Sequence, residues 1–216
     1  RGQLTMLLGR NGAGKTTTLR TIMGLWHASQ GKVVFDGHDI TTAETPAIAG
    51  LDIAYVPENM GIFADLTVKE NMLLAARSAR HAGQMDEARL KWIFGLFPAV
   101  EKFWNHPAGK LSGGQKQMLA VSRAIVEPRE LLIIDEAAFI RDFDDIWTGL
   151  SPTFSTGGRA IILSTPNGVG GQYYNLWTDA EAGQNGFNPI KIMWDEHPEH
   201  DQEWFDKETR NLPKKK

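Results

Sequence analysis

Cysteine is absent from the chain, which excludes a disulfide framework and any thiolate metal site and fits a reducing compartment. No apolar run approaches the roughly 18 residues needed to cross a bilayer, so any membrane role has to run through a partner. Neither sign of charge dominates. The 23 Lys and Arg stand against 26 Asp and Glu, a formal net charge of -3, which argues against a generally basic nucleic-acid footprint while leaving room for a local basic strip. Lys214 to Lys216 reads as a solvated tail. Internal repeats and low-complexity linkers are missing too. There is no signal peptide, and Arg1-Gly2-Gln3 leads straight into an apolar run, so the start of the domain is expected to lie upstream. What the chain does have is 42% hydrophobic residues over 216 positions, enough for one sizeable α/β domain with room for a subdomain.

Apolar periodicity supplies the elements. Leu4 to Leu8 predicts a strand, followed by a glycine-rich loop and a helix over Lys15 to Leu25. Val33 to Phe35 and Ile53 to Val56 are two further candidate strands. From Val68 to Phe97 the pattern is helical, with a break at Gly83 and a second segment from Asp86, which predicts a helical insert. Strand character returns at Leu131 to Ile134, at Ala160 to Leu163 and at Ile190 to Trp194, with helices expected near Gln172 to Ala182 and Asp201 to Leu212. Alternation of strand and helix predicts a mainly parallel sheet sandwiched by helices.

Gly9-Arg10-Asn11-Gly12-Ala13-Gly14-Lys15-Thr16 fits the full phosphate-loop pattern, directly after a strand and opening a helix. Backbone N–H groups over Asn11 to Thr17 can cradle phosphate oxygens at a helix N-terminus, where the dipole also favours negative charge. Lys15 is placed to reach the β- and γ-phosphates of ATP, and the Thr16 hydroxyl to ligate Mg²⁺. A glycine-rich turn capping an ordinary helix is the plainer alternative. Leu131 to Ile134 then runs into Asp135-Glu136, a buried strand ending in two carboxylates. Asp135 suits the metal, and Glu136 suits a general base that polarises the attacking water, with Lys15 as its catalytic companion. Acidic caps of a following helix remain the ordinary reading of such a pair.

Leu111-Ser112-Gly113-Gly114-Gln115 resembles the signature of ATP-binding cassette (ABC) proteins, and it is ordered between the phosphate loop and the acidic strand. Taken alone, Ser112 is also a plain helix N-cap. Residues 1–136 are most similar to ATPase subunits of branched-chain amino acid importers, through GRNGAGKTTTLRTIMGL, IAYVPENMGIFADLTVKENMLLAAR and GKLSGGQKQMLAVSRAIVEPRELLIIDE. The resemblance implies a P-loop NTPase fold with an inserted helical subdomain, and ATP and Mg²⁺ as cofactors. It also implies a head-to-tail dimer in which Ser112, Gly113, Gly114 and Gln115 contact the nucleotide held by the second subunit. Glu58 stands where most cassette proteins have the glutamine that senses Mg²⁺ and couples to membrane permease subunits, and the resemblance to branched-chain importers, which commonly show this glutamate, accounts for the departure. A cytoplasmic location, peripheral to the inner membrane through those permeases, follows from the same resemblance, and the adenine-stacking aromatic is expected upstream of Arg1.

After Glu136 the text changes. Residues 137–212 resemble the ATPase region of large terminase subunits of tailed, T4-like bacteriophages, at DEAAFI, GGRAIILSTPNG, YYNLWTDAEAGQNGF and WFDKETRN. This reading makes the chain a chimera joined at Asp135-Glu136, with DNA as the partner under the terminase alternative and Thr165, within Ser164 to Asn167, as a coupling residue. Pro166-Asn167-Gly168 by itself is also a simple turn. The expected organisation is therefore 1–60 as the first part of the ATPase core, 61–112 as a helical subdomain ending at the signature, 113–136 as signature helix and acidic strand, and 137–216 as a terminase-like completion of the core. A hybrid of this kind is also able to bind nucleotide and do nothing further. In both families the strand after the acidic one lies between it and the phosphate-loop strand, so Ala160 to Leu163 is expected in that slot. Two smaller signals remain. The Asp195-Glu196-His197-Pro198-Glu199-His200-Asp201 stretch is rich in metal ligands but suits a solvated loop, because Pro198 spoils helical presentation of its histidines. Trp92, Trp177 and Trp204 sit in helical patterns that suit core packing.

Overall fold

The computed structural model describes residues 3–76, 85–155, 157–193, 195 and 201–210. Five strands form one wholly parallel sheet: β1 (Leu4–Gly9), β4 (Ile53–Val56), β5 (Leu131–Ile134), β6 (Arg159–Ser164) and β7 (Phe187–Ile192), in the order β4-β5-β6-β1-β7. The strand following the acidic pair therefore occupies the slot beside the phosphate-loop strand, with Leu4 to Leu8 opposite Ala160 to Ser164. Its other edge pairs with β5, Leu132 opposite Ala160 and Ile134 opposite Ile162.

Alternation along each strand sends side chains to two different cores. Met6, Ala54, Val56, Leu132, Ile134, Ala160 and Ile162 join a large cluster on one face. Its cover consists of α3 (Val68–Ala76), α4 (Glu87–Leu96), α5 (Pro98–Lys102), α6 (Gly113–Ala124), α7 (Phe143–Ser155) and α8 (Gly171–Glu181). Leu7, Ile53, Leu131, Ile133 and Leu163 face the smaller cluster, which packs against Leu19 and Met23 around α1 (Lys15–Ile22) and Ile48 of α2 (Thr45–Ala49). A sheet buried on both faces explains why its strands read as almost unbroken apolar runs. The large cluster draws on residues from both sides of Asp135-Glu136, with Leu119 and Val121 packed in the same core as Phe143, Ile146 and Tyr173.

Several expectations shift. Val33 to Phe35 does not enter the main sheet: β2 (Val34–Phe35) pairs antiparallel with β3 (His38–Asp39) in a separate two-stranded ribbon. The last strand lies at Phe187–Ile192 rather than Ile190 to Trp194, and it contains Pro189 opposite Met6. Proline lacks the N–H for a second ladder and so fits an edge strand, which β7 is. The expected first helix ends at Ile22, where Met23 leaves helical geometry. In the helical insert, α4 begins at Glu87 with the Asp86 side chain capping Arg89 N, while the Gly83 break lies outside the described residues. The final helix, α9 (Gln202–Thr209), starts after an Asp201 cap. Residues 196–200, most of the ligand-rich stretch, also lie outside.

The longest helix among the described residues, α7, was not expected at all, because Gly149 and Pro152 make its sequence read as a turn. Gly149 has a packing reason: a Cβ there would sit 2.6 Å from Leu96 Cδ2, so α7 approaches α4 closely. Trp147 anchors the helix. Its ring lies 5.5 Å from Phe154, 6.2 Å from Phe143 and 5.4 Å from Phe187 on the edge strand, and it is 7% exposed. Of the tryptophans read as core, Trp177 is buried, whereas Trp92 is partly buried under the Arg89 guanidinium. Trp204 is half-buried on α9. Trp147→Ala is expected to lower unfolding free energy by about 3–5 kcal/mol, the usual loss for a truncated core aromatic. Urea titration checks this, and a loss under about 1 kcal/mol would contradict the anchoring role.

Candidate functional site

All five strands of a parallel sheet end on one edge, and α/β proteins bind ligands at that edge. There β1 passes into the phosphate loop. Gly12 and Gly14 take φ of 85° and 84°, a region where side chains are strained, and Gly14 caps α1 without any side-chain bond to the helix N–H groups. Those donors converge on the loop as an anion cradle. Lys15 is only 5% exposed, and its Nζ donates one bond, 3.0 Å, to Arg10 O. Burial lowers its pKa, and the carboxylates of Glu136, Asp135 and Glu58 oppose that shift. A buried ammonium with donors to spare suits a multiply charged phosphate chain.

β5 delivers Asp135 beside it. Asp135 is 2% exposed; Tyr55 on β4 donates its hydroxyl to Oδ2 at 3.1 Å, while the buried Oδ1 has no hydrogen-bond partner. Burial pushes the carboxyl pKa up, the Tyr55 hydrogen bond works against this, and the Glu136 and Glu58 charges push further upward. An orphaned carboxylate oxygen in a buried position is costly unless a cation meets it. Thr16, Glu58 and Asp135 share the walls of one cleft of about 480 Å³, so the hydroxyl and the carboxylate expected for Mg²⁺ fit that group as a pair.

Glu136 follows in left-handed conformation, φ 49°. Its carboxylate is turned to the end of β6. Oε2 accepts from Ser164 Oγ at 3.1 Å and from the Thr165 backbone N–H at 2.9 Å; Oε1 lies 2.8 Å from Thr165 Oγ1. Thr165 Oγ1 also lies 3.0 Å from Asn11 Oδ1 of the phosphate loop. Asn11, Glu58, Asp135, Glu136 and Thr165 line a second cleft of about 330 Å³.

The structure therefore gathers Asn11 to Thr16, Glu58, Asp135, Glu136 and Thr165 along one edge. It does not bring the signature there: Ser112 to Gln115 line neither cleft. Ser112 caps α6 reciprocally with Gln115, through Gln115 N to Ser112 Oγ at 3.3 Å and Ser112 N to Gln115 Oε1 at 2.9 Å, and Gly113 has open space around it. The N-cap reading of Ser112 is correct as geometry; Ser112 and Gly113 are exposed, whereas Gly114 is buried and Gln115 half-buried. One turn on, Gln117 ties α6 to the segment after Glu136, donating to Phe139 O and accepting from Arg141 N. Sequence reasoning missed Tyr55 as a site residue and named Ser164 only as part of the Ser164 to Asn167 segment, not as a partner of Glu136. The signal for Tyr55 was available, since a tyrosine inside an otherwise apolar strand has to find a partner for its hydroxyl.

The raised pKa of Asp135 has a direct consequence. Stability tied to this group is fully present below the ordinary carboxylate pKa and is lost as pH rises through the folded value. Asp135→Asn is expected to raise the melting temperature at neutral pH without ligand, to flatten that acid-side dependence, and to abolish stabilisation by Mg²⁺ with nucleotide. Thermal melts across pH check all three, and a variant still stabilised by Mg²⁺-nucleotide as the parent is would contradict the metal assignment.

An ABC transporter family model matches residues 1–138. A probable branched-chain amino acid transport ATP-binding protein of Archaeoglobus fulgidus is 37% identical over 136 residues, 63% of this chain and 57% of its own length. A sulfate/thiosulfate import ATP-binding protein of Bordetella pertussis is 38% identical over 137 residues, 61% of this chain and 38% of its own. The chain thus spans less than two thirds of these relatives. In three dimensions it matches an ATP-binding cassette solved as a post-hydrolysis dimer with ADP and phosphate, at TM-score 0.64 and 25% identity, over 77% of this chain and 75% of that one. An ABC transporter ATP-binding protein of Mycobacterium tuberculosis is 32% identical over 169 residues, 76% of this chain and 51% of its own length, so the likeness to ABC proteins extends past Glu136 in sequence as in shape, and a change of family there is not supported. Phosphate loop, capped signature helix and acidic strand end, in this order along the chain, agree with the match: the chain belongs to the ABC transporter family.

Proposed function

We propose that this chain binds and hydrolyses Mg·ATP as the nucleotide-binding part of an ABC importer. The observation that carries the reading is the convergence of buried Lys15, buried Asp135 with its unpartnered Oδ1, and Glu136 at the phosphate-loop edge. The loop N–H groups and Lys15 hold the β- and γ-phosphates. Thr16 and Asp135 hold Mg²⁺, which supplies charge neutralisation on the phosphates when bound. Glu136 orients and deprotonates the attacking water, and Glu58, on the wall of both clefts, is placed to report on the site. The exposed Ser112 and Gly113 at the start of the signature helix support completion of each site by a second copy, head to tail. No helix among the described residues is long and apolar enough to cross a membrane, so the reading assigns membrane attachment to permease subunits on the cytoplasmic side of the inner membrane.

Branched-chain amino acids are the proposed solute class, on the strength of the Archaeoglobus likeness and of Glu58; the sulfate-importer likeness makes the solute a matter for uptake assays. The DNA-translocation reading of residues 137–212 rests on sequence motifs alone, with the Ser164 to Asn167 segment as its specific support. Hydrolysis stimulated by DNA would favour it.

Purified protein is expected to release phosphate from Mg·ATP. Lys15→Ala is expected to lose nucleotide binding, whereas Glu136→Gln keeps binding and loses turnover by about 10²–10⁴-fold, the usual share of a general base. Phosphate release and equilibrium binding check both, and parental turnover in Glu136→Gln would overturn the role given to Glu136.

A further inference from the structure

We infer that Thr165 is a positioning residue for Glu136, a role that rests on the hydrolase reading above. Four observations carry it. Glu136 has three donors on its two carboxylate oxygens, and two of them, the backbone N–H and the hydroxyl, come from Thr165. The pair grips both oxygens, so it fixes the plane of the carboxylate as well as its distance from the sheet. Glu136 sits in a left-handed backbone conformation, a cost that persists only where the surroundings over-determine it. Finally, the Thr165 hydroxyl also meets Asn11 at 3.0 Å, so a single side chain spans the carboxylate and the phosphate loop.

The hydroxyl has one proton, and Glu136 Oε1 at 2.8 Å takes it as the nearer and charged acceptor. Asn11 is then satisfied by turning its amide so that its NH₂ donates to Thr165 Oγ1, an orientation that heavy-atom positions allow equally. The chain Asn11 to Thr165 to Glu136 runs with all donors directed toward the carboxylate. The fully buried Ser164 hydroxyl lies 3.1 Å from Glu136 Oε2 and 3.0 Å from Thr165 O; its one proton goes to the charged acceptor as the third donor, and it accepts from Ala138 N at 3.1 Å, which ties the turn after Glu136 to the same strand end. Four lone-pair sites and three donors leave one site on the carboxylate open, and Glu136 lines the cleft shared with Asn11, Glu58 and Asp135. The clamp holds the carboxylate in one orientation at that cleft while leaving it one acceptor site for a water.

A misplaced base is expected to cost turnover without costing affinity, because Thr165 is not among the groups assigned to the phosphates or the metal. Thr165→Val keeps the shape and the backbone N–H and removes only the hydroxyl. It is expected to lower kcat about tenfold to a hundredfold, the scale of a displaced catalytic group, with KM and nucleotide Kd unchanged. Thr165→Ser restores the hydroxyl and is expected to restore most of kcat. The experiment is steady-state Mg·ATP hydrolysis and nucleotide binding for parent, Thr165→Val, Thr165→Ser and Glu136→Gln, with thermal melts alongside. Loss of kcat in the valine variant with rescue by serine and equal Kd supports the role. Equal kcat in parent and Thr165→Val, or parallel loss of Kd and melting temperature, overturns it while leaving the hydrolase reading intact. A parent with no turnover overturns that reading, and this one with it.

Discussion

The placement of β6 between β5 and β1 is the constraint on which the functional edge depends. Its register fixes everything that follows: with Ile134 opposite Ile162 and Leu8 opposite Ser164, the ends of three neighbouring strands arrive together. Asp135-Glu136, Ser164-Thr165 and the phosphate loop are then neighbours with no further adjustment. A slip of one residue would send Ile162 and Ala160 to the opposite core and move Thr165 off Glu136, so packing on both faces enforces the chemistry at the edge.

The edge itself runs against the logic of the core behind it. Lys15 and Asp135 are charged and buried, Asp135 has an oxygen without a partner, and Glu136 is held at positive φ. Each of these opposes folding, and the sheet tolerates them because two large apolar clusters hold its strands in place. The unfavourable groups also lie together. A cluster of locally disfavoured residues at the C-terminal edge of a parallel sheet is what a site built to receive phosphate and a divalent cation requires.

Much of this was legible in the chain. The phosphate loop declares itself through fixed spacing, and strands buried on both faces declare themselves through continuous apolar runs. The slot of β6 followed from the topology that the two resembled families share. What was hidden has physical reasons. Helix α7 is held by Trp147 and by close approach of Gly149 to α4, a tertiary contact that overrides a turn-like local sequence. The edge strand starts three residues early because Pro189 is harmless there. Tyr55 finds its partner 80 positions away, beyond the reach of any local pattern. The family-model match ends at residue 138, yet Ala137 is fully buried and Gln117 bonds the main chain at Phe139 and Arg141. The segment after Glu136 is therefore knitted into the core and to the signature helix, whatever its sequence resembles.

The central claim is that the cassette site is completed by a second copy, and the mass in solution of the Glu136→Gln protein, with and without Mg·ATP, tests it most directly. Removal of the base traps any nucleotide-bridged pair before hydrolysis. The account predicts a monomer without nucleotide and a dimer with it, and a variant that binds ATP yet stays monomeric at every concentration would contradict it.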